Sequence, residues 1–155
     1  MDAQMLHLFH QALFGAIAAA GFGVLFNFGP RSLLWCMAAG ALALAVRTLG
    51  QDAGWSLEAA SFAAAAAASC AVRLLKVRLG AAGNAMALAG CIPMVPGAFF
   101  GQALLGLFAV TAPHPEHEIA TIVMAMEYML RVIFTVGAIG AGLAIPTHLL
   151  KNKDF

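Results

Sequence analysis

The stretch Cys91-Ile92-Pro93-Met94-Val95-Pro96-Gly97 interrupts an apolar run that extends from about Ala85 to Val110. Its two prolines remove two backbone donors. Their rings also clash with the carbonyls four residues back, at Ala89 and Ile92. Gly97 adds dihedral freedom that a side chain would deny. In a soluble protein a helix would end here. Inside a bilayer a freed carbonyl finds no water, so broken backbone survives only where protein or a wet cavity covers it. The stretch therefore predicts a break in a membrane helix, and it marks the expected centre of function.

The rest of the chain fits a membrane setting. Of 155 residues, 63% are hydrophobic and only 10% charged, whereas about a quarter of the residues in a soluble domain are charged. A net charge of +1 excludes a strongly basic nucleic-acid binder. The apolar runs are long and continuous, unlike the short alternating segments of a transmembrane β-barrel. Met1-Asp2-Ala3-Gln4 lacks the basic start of a cleaved signal peptide. Cys36, Cys70 and Cys91 all fall inside apolar runs, at a spacing that matches no zinc pattern, and read as small buried hydrophobes.

A spanning helix needs about 20 mostly apolar residues. Five stretches qualify within one transmembrane domain covering 1–155: residues 5–28, ending at the turn signal Gly29-Pro30-Arg31; 32–49, ending at Gly50-Gln51-Asp52; 56–72, with Glu58 in the first turn, where an acid suits the helix dipole; 85–110, the broken one; and 119–150. The expected fold is all-α, a polytopic membrane protein with five transmembrane helices, the fourth broken at Pro93–Gly97. The last run exceeds what a bilayer requires, so its first turns stand outside the hydrocarbon or the helix tilts. Five spans place Arg31, Arg73, Lys76, Arg78, Lys151 and Lys153 on one side and only Arg47 on the other. Because positive residues mark the cytoplasm, the N-terminus is expected outside and the C-terminus inside. Small residues, including Ala59–Ala71, Gly97, Gly101, Gly137, Gly140 and Gly142, suit close helix packing.

Three pieces in order carry a resemblance to a known family. They are Val24-Leu25-Phe26-Asn27 with Pro30-Arg31 and Leu34-Trp35-Cys36; Ile92-Pro93-Met94-Val95-Pro96-Gly97; and Val136-Gly137-Ala138-Ile139-Gly140 through Ala144-Ile145-Pro146. Together they resemble the short membrane subunit of the threonine/serine exporter family, over nearly the whole chain. The resemblance implies the second membrane half of a fused exporter, with the first half on a larger membrane partner that has a soluble cytoplasmic portion. It also implies export of small polar metabolites such as threonine, serine or succinate, and a bacterial inner membrane location. It assigns nothing to Glu127 or Arg131.

Several residues are candidates, each with a plainer alternative. At Pro93, Pro96 and Gly97 a discontinuous helix would present free amides and carbonyls to a substrate; the alternative is a proline kink satisfied by neighbouring helices. Asn27 would bind substrate, or would cap the end of the first helix. Glu127 and Arg131, four apart on one helix face, would couple transport to an ion, or would form an interfacial pair. His114, Glu116, His117 and Glu118 do not make a convincing metal site in a proline-rich loop, nor do His7 and His10. No Gly-x-Ser-x-Gly, P-loop or His-Glu-x-x-His is present, so neither an enzyme nor a cofactor is expected, and an ion gradient is the simplest energy source. Homo-oligomerisation is expected besides the larger partner. The competing reading is a non-transporting membrane scaffold that stabilises a partner protein.

Overall fold

In the computed structural model, which describes residues 3–75, 83–110 and 119–149, every regular element is helical. α1 covers Ala3–Leu25, α2 Pro30–Asp52, α3 Leu57–Leu74, α4 Gly83–Cys91, α5 Gly97–Val110 and α6 Ile119–Leu149, with a 3-10 turn at Ile92–Met94 directly after α4. Four of these, α1, α2, α3 and α6, are long and apolar enough to cross a membrane alone; Gly83–Met94 and Gly97–Ala109 make a further span when counted together. The chain is an all-α polytopic membrane protein. Lys76, Arg78, Lys151, Lys153 and the loop bearing His114, Glu116, His117 and Glu118 lie outside the described residues.

The helix ends follow from local chemistry, and three differ from the sequence expectation. α1 stops at Leu25, because Asn27 adopts a left-handed φ of 58°. The Phe28 amide donates to the Gly23 carbonyl at 3.0 Å and the Asn27 amide to Val24 at 2.9 Å. This is a Schellman closure with asparagine in the left-handed position. Pro30 is not a turn residue; it opens α2, where its missing N–H costs nothing and its fixed φ suits a helix. α2 then runs past Gly50 to Asp52. Gly54, at φ 83°, makes the second closure: Trp55 donates to Gly50 at 3.0 Å and Gly54 to Gln51 at 2.9 Å. α3 starts as expected, with Ser56 Oγ accepting from the Ala59 amide at 3.2 Å and Glu58 in the first turn.

Two compact units can be described, Met1–Met94 with Ala138–Phe155, and Val95–Gly137. In the first, α2 is the hub, packing against α1, α3, α4 and the 3-10 turn. The interior is made of small groups. Ala19, Ala43, Ala60, Ala64, Ala65, Ala68 and Ala89 are fully buried, while large side chains such as Phe9, Phe14 and Leu34 are exposed. Backbones meet directly: a Cβ on Gly40 would run into the Gly15 carbonyl oxygen and the Ala19 methyl, and one on Gly90 would lie 2.9 Å from the Gly40 nitrogen. The C-terminal part of α6 is laced to α3. Ser69 Oγ donates to the Leu143 carbonyl and Arg73 Nη1 to the Thr147 carbonyl, each at 3.1 Å, and a Cβ on Gly142 would come within 2.6 Å of the Phe62 carbonyl oxygen. Without a hydrophobic driving force between helices in lipid, such close packing and hydrogen bonding hold the unit together.

The second unit joins α5 to the first part of α6. A Cβ on Gly106 would lie 2.6 Å from the Ala125 Cβ. Phe99 stacks on Tyr128 with ring centroids 5.6 Å apart, and the Arg131 guanidinium sits 5.8 Å from the Phe99 centroid.

Candidate functional site

α4 ends at Cys91 because Pro93 takes a donor from the helical ladder and biases Ile92 away from the α conformation. The chain tightens into the Ile92–Met94 turn, which is the resort of a helix end that cannot continue. On the far side, Gly97 donates to the Val95 carbonyl at 2.8 Å and Phe100 to the Pro96 carbonyl at 3.1 Å, which starts α5. Pro96 cannot donate to Ile92. The break expected from the two prolines is present, between Cys91 and Gly97.

What holds the break is Arg47. In an unbroken helix the Met94 carbonyl would accept from the amide four residues on. Here Arg47 Nη1, from α2, donates to it at 3.0 Å. Met94 is fully buried and Arg47 half-buried. The sequence count assigns Arg47 to the outer side; the structure adds a bond that the count does not foresee. Arg47 lies inside α2, more than a turn before Asp52, and its head turns into the protein. Its Nε is buried without a hydrogen-bond partner, as are Ser61 Oγ and Thr135 Oγ1. Among the described residues the ion pair is Glu127–Arg131, and no acid pairs with Arg47.

The other sequence candidates are placed as follows. Pro93 is half-buried and Pro96 buried, while Gly97 is exposed. Gly97 is not at positive φ, and a Cβ there would meet nothing within 4 Å. It is the first residue of α5, so the special dihedral expected of it is not used. Asn27 is exposed, and its visible role is the backbone closure of α1. Glu127 Oε1 accepts from Arg131 Nε and Nη2, both at 3.1 Å, with both side chains about half exposed; the pair stays on one helix face beside Phe99 and Tyr128. Among the described residues no group of three or more His, Cys, Asp or Glu could hold a metal ion.

The first unit has a second feature. A cleft of about 270 Å³ is lined by Ser69, Asn84, Leu88, Gly140, Ala144 and Thr147, among others. Pro146, inside α6, removes the donor that the Gly142 carbonyl would have had. Both proline-weakened segments therefore have an arginine from another helix bonded to a nearby carbonyl: Arg47 to Met94 and Arg73 to Thr147. The sequence offered no sign of either arginine's target, because both bonds join residues far apart in the chain.

Comparison with known proteins adds the family. An uncharacterized protein of Haemophilus influenzae is 32% identical over 153 residues, covering 96% of this chain and 50% of that protein. The chain thus spans about half the length of this curated relative. No solved structure matches. The family profile described as "Threonine/Serine exporter, ThrE" matches residues 11–149, a stretch that includes every helix bearing on the break. By that match the chain belongs to the threonine/serine exporter family.

Proposed function

We propose that this chain is one membrane half of a two-component secondary exporter of small polar metabolites, either threonine- and serine-type amino acids or dicarboxylates such as succinate. The other half comes from a larger membrane partner. The half-length match to the Haemophilus influenzae relative supports a second half, and the open space beside Gly97, Gly101 and Gly137 leaves small-residue faces for another subunit, including further copies of this chain. The membrane is a bacterial inner membrane, with the N-terminus outside and the C-terminus cytoplasmic.

The observation that carries the reading is the break. A scaffold has no need of a buried carbonyl released from its helix and held by an arginine from another span. In secondary transporters, unwound backbone of this kind forms the substrate site. Pro93, Pro96 and Gly97 act by shaping it. The test is Pro93→Ala with Pro96→Ala, assayed by export from cells that also express the larger partner. Alanine restores the donors and the ladder closes. The expected result is a well-expressed, assembled and inactive protein. Export at the wild-type rate would make the break structural and favour the scaffold.

A further inference from the structure

We propose that the Arg47 guanidinium is the carboxylate receptor of this site, binding the carboxylate of the exported solute beside the Met94 carbonyl. The inference rests on the exporter reading and adds to it the residue and the chemical group recognised.

The argument starts from charge. Arg47 stays protonated under any biological condition. A cation inside a span is costly and is almost always paired or exposed to a water-filled path. Arginines near helix ends usually snorkel, sending the head toward the interface. Arg47 turns inward instead: Nε is buried, Nη1 is turned to Met94, and among the described residues the group bonded to it is a neutral carbonyl. The C-terminal dipole of α2 offsets part of the charge. It supplies no hydrogen-bond acceptor for Nε.

Geometry names the missing partner. Nη1 is committed to Met94, and Nε and Nη2 form the other edge of the same planar fork. Two parallel N–H groups along one edge match the two oxygens of a single carboxylate. The bond from Nη1 to the Met94 carbonyl leaves the Nε–Nη2 edge as the one uncommitted to protein. Nε is covered, so this edge must open before a carboxylate can neutralise the cation and satisfy Nε. The ligand class is a small carboxylate, whether amino acid or dicarboxylate.

The experiment uses inside-out membrane vesicles carrying this chain and its larger partner, and measures uptake of labelled L-threonine, L-serine and succinate. L-threoninol, which lacks the carboxylate, is the competitor control. Wild-type vesicles should take up at least one carboxylate and be indifferent to L-threoninol. Arg47→Gln should raise KM at least tenfold with the assembled amount unchanged. Arg47→Lys keeps the charge and a donor for Met94, so it protects the fold while losing the two-pronged edge; its KM should rise several-fold. The lysine variant keeps the test decisive if the glutamine variant does not assemble. Transport by wild type with an unchanged KM in Arg47→Lys would overturn the assignment alone, leaving Arg47 a structural clamp on the break. Wild-type vesicles that take up none of the three would overturn the exporter reading and this inference with it.

Discussion

The left-handed φ of 58° at Asn27 and of 83° at Gly54 closes α1 and α2 by the same pair of backbone bonds. For a residue other than glycine this conformation costs roughly 1–2 kcal/mol, and asparagine is among the few that tolerate it. Asn27→Gly should therefore leave thermal stability in detergent unchanged or slightly raised, while Asn27→Val should lower it by about 1–2 kcal/mol; equal melting of both variants would deny the closure. These ends also separate two glycines that look alike in sequence. Gly50 reads there as the stop signal of the second span. The stop is Gly54, and Gly50 is a packing glycine whose Cβ would lie 3.1 Å from both the Ala60 Cβ and Trp55 Cε3. One glycine in a sequence does not announce whether it serves a turn or a neighbour, and only tertiary contact decides.

Within the helices, the glycines of this chain divide by what stands beside them. Gly40 lies where α2 meets the backbone of α1 and the Gly90 turn of α4. Gly40→Leu should destabilise by about 1–3 kcal/mol or more, since neither facing backbone has a rotamer to change; loss of the monodisperse peak in detergent extracts is the readout. Gly97→Leu should leave assembly intact, because its surroundings are open and leucine is the better helix former by about 1 kcal/mol. A collapsed Gly97→Leu, or a healthy Gly40→Leu, would contradict the packing described. The break between α4 and α5 was legible because proline acts through covalent geometry, which needs no partner. Which carbonyl stays free, and which side chain reaches it, was not legible. That depends on a bond between residues 47 positions apart.

For the molecule as a whole, the proposed orientation rests on six basic residues on one side against Arg47 on the other, with Arg131 counted as inside the last span. A cysteine placed at Gln4 should react with a membrane-impermeant reagent added outside intact cells, and one at Lys153 should not; the reverse pattern would invert the protein. α6, at 31 residues, is about 46 Å long at 1.5 Å per residue and exceeds a hydrocarbon layer of about 30 Å, so Glu127 and Arg131, in its first half, fall near the interface when the helix stands upright with its excess length at the N-terminal end. Glu127→Gln with Arg131→Gln should then change export by less than twofold, against the large loss expected at Arg47. The alanine-lined interior has a further consequence for motion. Among the described residues the largest fully buried side chains are Met94, Thr135, Cys36, Cys91 and Ser61, and large aromatic side chains such as Phe9 and Phe14 are exposed. Methyl groups and bare backbone form shallow ridges with little to interlock. Helices meeting on such surfaces can slide a fraction of a turn without any side chain changing rotamer, which is the low-friction condition for shear. The feature that lets these helices approach so closely therefore also smooths the surfaces on which they could shear, except where α3 and α6 are tied through Ser69 and Arg73.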